Sequence, residues 1–298
     1  MPERLALTAI FLSLAFFRPV LAESPVPAAL EPLQAKIGRH WAFDGTVLDF
    51  KAQQPLTQEQ WIAIEGLGIR RIAILPAKGI DDAAMARLAK LDLEAFVTDG
   101  AQLTDEGFKS LASMKSLQHL AFFHLSFGRK DFTGRNFALL KELPALETLT
   151  YGGSSTGEEA MEAIGQLTQL REFSTWHTQQ TDPRNLHLLK LTSLRSLKLG
   201  NSLSKYDGKL RQPCLTEATI ATLAEMKSIE TLDLTEVRLT YPVLEPLSAL
   251  PKLKKLKLQG VDISNGDMEK LRAKMPGVAI DWKPFTDEER KRLDDFLK

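Results

Sequence analysis

The chain has 298 residues, of which 44% are hydrophobic and 26% charged, ordinary globular proportions that exclude wholesale disorder. Lysine plus arginine equals aspartate plus glutamate at 38 each, which argues against a protein built to grip nucleic acid or an anionic membrane.

Leu5 to Phe17 is an almost unbroken apolar run, preceded by Arg4 and followed by Arg18, Pro19 and the small-residue site Val20-Leu21-Ala22. Residues 1–22 read as a secretory signal peptide cut after Ala22, since the run is too short to cross roughly 30 Å of hydrocarbon comfortably. Glu23, not cysteine, follows the cut, so lipoprotein processing is not expected. The expected location is a bacterial periplasm or the medium, with no membrane span after cleavage. A lone Cys214 forbids an intramolecular disulfide.

Residues 23–45 read as a tether followed by an N-terminal capping helix. Glu23 to Ala29 is rich in proline and alanine, a helix is expected over Leu30 to Ile37, and Gly38 is placed to end it.

Residues 46–282 carry a beat. Leu215-Thr216, Ile220, Leu223, Met226, Ile229, Leu232 and Leu234 are matched by Leu239-Thr240, Leu244, Leu247, Leu250, Leu253, Leu256 and Leu258, each 24 residues later. Steps of three suit a short helix facing a core, and the closing Leu-x-Leu steps by two, as a strand does. Projecting the period gives strand anchors at Leu48/Phe50, Ile72/Ile74, Phe96/Thr98, Leu120/Phe122, Leu149/Tyr151, Phe173/Thr175, Leu197/Leu199, Leu232/Leu234, Leu256/Leu258 and Val278/Ile280. Insertions of five and eleven residues interrupt the array after the strands at Leu120 and Leu197. Between strands, Thr104, Thr156 with Glu159, and Ser264 are placed to cap short helices. A lone unit cannot bury both its faces, so stacked neighbours must supply the core. Residues 283–298 read as a C-terminal capping helix opened by a capping box of Thr286 and Glu289.

Stretches such as Leu103-Thr104-Asp105-Glu106-Gly107-Phe108 and Leu253-Lys254-Lys255-Leu256-Lys257-Leu258-Gln259-Gly260 resemble the secreted leucine-rich repeat proteins of environmental bacteria. More distantly, they resemble the repeat portions of F-box and ribonuclease-inhibitor-type proteins. The resemblance covers about residues 46–282. It implies an α/β horseshoe solenoid with a concave parallel sheet of about ten strands, short convex helices, and a role in binding proteins. No F-box-like segment precedes the repeats. The asparagine usual after each strand is replaced by Ala101, Leu125, Ser154, Thr178, Ser202, Val237 and Val261, so the turn backbone needs other partners.

In such a fold the residues between and beside the anchors line the concave surface. Just beyond four consecutive strands, equivalent positions read Phe123-His124, Gly152-Gly153, Trp176-His177 and Gly200-Asn201. Strands about 4.8 Å apart would set the two aromatic–histidine pairs roughly 10 Å apart with glycines between, a slot for a flat ring or a long partner side chain. The alternative is that both rings pack over their own turns. The insertions Phe127 to Thr133 and Ser202 to Pro213 emerge on the same edge, adding Phe127, Arg129, Lys130, Tyr206 and Arg211 as candidate contacts.

His124 and His177 are too few for a zinc site, which wants three or four ligands, and no metal or cofactor is expected. His119 with Glu172 or Asp99 would be an acid–base pair only across strands, and no nucleophile elbow or phosphate loop appears. The expected function is a non-enzymatic extracytoplasmic module that engages a protein partner through the concave face and loops 127–133 and 202–213. One alternative is binding of a glycan or cell-wall polymer, for which Lys198, Lys255 and Lys257 form a basic stripe interrupted by Asp233. Another is a histidine-dependent hydrolase on the same scaffold.

Overall fold

The computed structural model describes residues 25–154, 156, 158–178, 180–200, 205, 206, 209, 210 and 215–297. The expected leader at residues 1–22, Cys214 and Arg211 lie outside the described residues. Among those described, no helix is long and apolar enough to cross a membrane.

Among the described residues, eleven strands form one sheet in strict sequence order. They are β1 (Lys36–His40), β2 (Phe43–Phe50), β3 (Arg71–Ile74), β4 (Ala95–Asp99), β5 (His119–Phe123), β6 (Thr148–Gly152), β7 (Glu172–Trp176), β8 (Ser196–Gly200), β9 (Thr231–Thr235), β10 (Lys255–Leu258) and β11 (Ala279–Trp282). From β2 onward every pairing is parallel. Leu48, Ile72, Phe96, Leu120, Leu149, Phe173, Leu197, Leu232, Leu256 and Ile280 form one unbroken row of partners. Short α- and 3-10 helical turns connect the strands on the opposite face. The architecture is an α/β leucine-rich repeat solenoid.

Two details differ from expectation. At the N-terminus the helix over Leu30 to Ile37 does not form: a 3-10 turn spans Ala28–Leu33, Gln34 takes a left-handed conformation, and β1 runs antiparallel to β2. Pro32 sits inside the turn and denies a regular helix its backbone donor, while Ile37 stands between outward Lys36 and Gly38, a strand's alternation. At the other end, Leu256 pairs with Ile280 and Leu258 with Trp282, so the last anchors are Ile280/Trp282, not Val278/Ile280. The 24-residue step is thus preserved, and Asp281 becomes the residue between them.

The core lies between sheet and helices. The paired anchors from Leu48 to Leu256 are at most 1% exposed, and each buried leucine contributes about 1.5–3 kcal/mol. An aromatic cluster fills the third to fifth units. Phe137 lies 4.6 Å from Phe108 and 4.8 Å from Tyr151, Phe122 meets Phe96 edge-on at 6.4 Å, and Phe132 from the first insertion stacks on Phe108.

Two of the recurring Leu-Thr pairs acquire a reason. Thr104 donates its hydroxyl to Asp82 Oδ2 at 2.6 Å, and Thr216 does the same to Asp182 Oδ2 at 2.6 Å, so each threonine staples its unit to the preceding helix. Ser264 caps the helix Asn265–Lys274 by accepting from Asp267 N, and the box of Thr286 and Glu289 opens the helix Asp287–Leu297.

Candidate functional site

The turns after the strands set the site. Gly100, His124, Gly153, His177, Glu236 and Gly260 each follow or lie just beyond a strand with φ between +48° and +81°. This left-handed conformation aims the chain away from the sheet. Backbone bonds then tie neighbouring turns together: Gly100 N–H donates to Phe123 O, His124 to Gly152 O, Gly153 to Trp176 O and Glu236 to Gly260 O, at 2.8–3.0 Å. This ladder serves where the asparagines are missing. Side chains add to it at Ser126, whose hydroxyl donates to Leu103 O, and at Ser154, which donates to Leu125 O. Tyr151 OH donates to Ser154 Oγ at 2.6 Å and also contacts the Thr156 hydroxyl, while burial holds the phenol far above its ordinary pKa.

For residues with a Cβ the left-handed state costs about 1–2 kcal/mol. His124, His177 and Glu236 accept that cost, and each is engaged. His124 Nδ1 lies 2.8 Å from Asp99 Oδ1, and His177 Nε2 lies 2.6 Å from Glu236 Oε2. The His124 ring lies over Gly153, where an added Cβ would stand 2.6 Å from it. Sequence reasoning missed Glu236, because 59 residues and an insertion separate it from His177. His119 faces the Phe43 ring at 6.2 Å, and Asp99 is the partner of His124 instead.

The slot between Phe123 and Trp176 is closed. Gly152 pairs with both residues in the sheet, but the Trp176 indole leans across it, so that the two rings meet at 5.9 Å, tilted by 46°. A Cβ on Gly152 would stand 3.0 Å from Trp176 Cε2, and one on Gly200 2.5 Å from Trp176 Cβ. The glycines therefore admit the indole itself and leave no floor for a ligand. Lys198 Nζ lies 5.0 Å from the centroid of the Trp176 ring.

In place of a slot there is a continuous aromatic strip. The β1–β2 hairpin folds over the concave face and seals Val47, Ala73 and Val97 beneath Ala42 and Phe43. Its tip residue, Trp41, is 73% exposed and its ring lies 6.3 Å from Phe123. Rings thus run from Trp41 through Phe123 to Trp176. Trp41 and Phe43 escaped the sequence reading because residues 23–45 lie outside the repeat; the cluster Trp41-Ala42-Phe43-Asp44-Gly45 was the available signal.

The first insertion follows β5 as expected and is anchored from below. Asp105, almost wholly buried, accepts from Thr133 N and Oγ1 and from Gly134 N, and Phe132 enters the core. Phe127 is left 46% exposed, edge-on to His124 at 6.3 Å. Arg129 is tied to Asp131, while Lys130 is exposed. Of the second insertion, Lys205–Tyr206 and Lys209–Leu210 form a two-residue antiparallel ribbon. The Tyr206 side chain and Arg211 lie outside the described residues.

Farther along the concave face, register places Lys198, Asp233, Lys257 and Asp281 side by side on β8 to β11. The row alternates in sign, so the expected basic stripe is compensated at every second strand. Burial raises the Asp233 carboxyl above its ordinary range, against the opposing pull of Lys198 and Lys257. No group of three or more His, Cys, Asp or Glu side chains able to hold a metal occurs among the described residues.

No protein-family model and no curated protein matches the chain. Among solved structures, internalin C2 from Listeria monocytogenes is similar at 18% identity and a TM-score of 0.42, covering 62% of this chain and 69% of its own. The internalin InlF of the same organism is similar at 16% identity and a TM-score of 0.42, covering 85% of this chain and 84% of its own.

Proposed function

We propose that the chain is a non-enzymatic, extracytoplasmic binding module that engages a protein partner through its concave face, with the strip Trp41–Phe123–Trp176 at the centre of contact and loops 127–133 and 202–213 beside it. One observation carries the reading: a tryptophan 73% exposed is held at a hairpin tip in ring contact with the strip. Burying so large an indole against a partner releases much apolar surface at little entropic cost, which is why tryptophan dominates interaction hot spots. The left-handed strain at His124 and His177 supports the same reading, because both rings stand at the strip's margin. The apolar run Leu5 to Phe17 with the small-residue site Val20-Leu21-Ala22, read as a leader, supports the location.

The test compares capture of partners from envelope and culture-medium fractions by the wild type and by a Trp41→Ala/Trp176→Ala variant. The reading expects the variant to lose a captured protein while keeping its unfolding midpoint. Undiminished capture by the variant would overturn it. Capture that survives proteolysis of the fractions and is abolished by glycan digestion would replace the protein partner with an extracellular glycan.

A further inference from the structure

A second feature lies on the same concave margin. A cleft of about 680 Å³ opens between the ends of β9 to β11 and the helix Asp287–Leu297, lined among others by Glu236, Gln259, Asp281, Lys283, Phe285 and Leu293. That volume is typical of pockets that enclose a ligand group. Its inner wall is apolar, with Leu293 buried beside Phe285. Three carboxylates, Glu236, Asp281 and Glu289, stand at its rim with two cations, Lys283 and Arg292.

We infer that this cleft receives an arginine or lysine side chain of the protein partner, an inference that rests on the partner being a protein. Charge complementarity selects the occupant. Of the two cations at the rim, Arg292 is already paired with Glu288 at 2.6 Å, so Glu236, Asp281 and Glu289 outnumber the rim's positive charges. Two of these carboxylates, Asp281 and Glu289, also have acceptor capacity to spare among the described residues. Asp281 accepts from the Gln259 amide through Oδ2 alone, and Glu289 accepts from Thr286 through Oε2 alone. A long basic side chain lays its methylenes along an apolar wall and keeps its charged head at a polar rim. A guanidinium offers five donors to such acceptors, whereas an anion here would face three carboxylates.

The cleft is also joined to the aromatic strip. Glu236 lines it and is held at 2.6 Å by His177, the residue after Trp176. Trp176 occupies the last concave position of β7, and Lys283 lies just past the end of β11, four strands on. At about 4.8 Å per strand the span is about 19 Å, or about six residues of extended chain.

The test titrates the full-length protein, labelled for NMR, with three probes: Nα-acetyl-arginine amide, Nα-acetyl-norleucine amide and Nα-acetyl-glutamate amide. The Gln259 side-chain amide and the Gly260 N–H report on the cleft. Arginine is expected to shift both signals saturably, norleucine to bind at least about tenfold more weakly, and glutamate to leave them unmoved. Asp281→Asn, at an exposed position and checked for an unchanged unfolding midpoint, is expected to weaken arginine about tenfold. Glu236→Gln, checked in the same way, is expected to weaken it as well. Equal binding of norleucine, any binding of glutamate at the cleft, or no saturable shift with arginine would each overturn the inference. The two readings fail separately: arginine binding that persists while Trp41→Ala/Trp176→Ala leaves partner capture intact would sink the strip and spare the cleft.

Discussion

Gly152 and Gly153 are adjacent, yet adding a methyl group to each should have opposite consequences. At Gly152 the backbone is not left-handed, so alanine fits the chain and gains up to about 1 kcal/mol by restricting the unfolded state. Its Cβ would stand 3.0–3.3 Å from three indole atoms of Trp176, so the ring must shift by a few tenths of an ångström. The loss is part of a ring contact with Phe123, about 0.5–1.5 kcal/mol, and of the Lys198 contact, about 0.5–1 kcal/mol. These nearly cancel, and Gly152→Ala should lie within about 1 kcal/mol of wild type while the Trp176 indole resonance moves. At Gly153, φ is +67° and the Cβ would stand 2.6 Å from His124 Cδ2. Left-handed strain of about 1–2 kcal/mol adds to that collision, so Gly153→Ala should lose at least about 2 kcal/mol. Urea unfolding gives both values, and an indole-resolved NMR spectrum follows the ring. Equal destabilisation by the two substitutions, or a Gly152→Ala protein whose Trp176 resonance does not move, would refute this account of how the strip is seated.

Other outcomes follow from the core and the concave charges. Phe137→Ala, at a fully buried position between Phe108 and Tyr151, should cost about 3–5 kcal/mol in urea unfolding, and a loss under about 1 kcal/mol would mean the cluster is loosely packed. The Thr98 hydroxyl is buried in the core without a hydrogen-bond partner among the described residues, so Thr98→Val should stabilise by about 1 kcal/mol; a lowered melting temperature would show that the hydroxyl is satisfied. Asp233 has its pKa raised by burial, so the folded state holds its proton longer than the unfolded chain. Its contribution is present below the ordinary aspartate pKa of about 4 and is lost as pH rises through the folded value. Asp233→Asn should therefore gain on wild type across that window, whereas a constant gap between the two from pH 3 to pH 7 would contradict the shift. A peptide with tryptophan and arginine six residues apart should bind more tightly than one with the same residues adjacent, as calorimetry would show; equal affinities would uncouple strip and cleft.

The ladder of anchors was legible because its cause is local and repeated: each unit buries the same positions, so Ile72, Leu120, Phe173 and Leu232 could be placed in one row from spacing alone. The ends were harder. Ile37 and Val278 stand beside apolar neighbours at both strand and helix spacings, and only pairing with β2 and β10 settles their roles. Within the candidate site, Phe123, Trp176 and the two histidines were visible as equivalent positions, but the lean of the indole over Gly152 depends on rotamers that spacing does not encode. The contacts of Trp41 and Glu236 were hidden for a different reason. Trp41 stands outside the repeat, 82 residues from Phe123, and Glu236 lies 59 residues from His177, across the second insertion.

The strict order of the strands has a mechanical corollary. Each strand hydrogen-bonds only to the ones before and after it, so the sheet can fray from either terminus without unpairing the opposite one. Loosening of the helix Asp287–Leu297 would dissolve the cleft and leave Trp41, Phe123 and Trp176 in place, while opening of the β1–β2 hairpin would release Trp41 and leave Asp281 where it is. A ligand that bridges both regions would then act as a clasp, and its binding should protect amide hydrogens near the two termini at once.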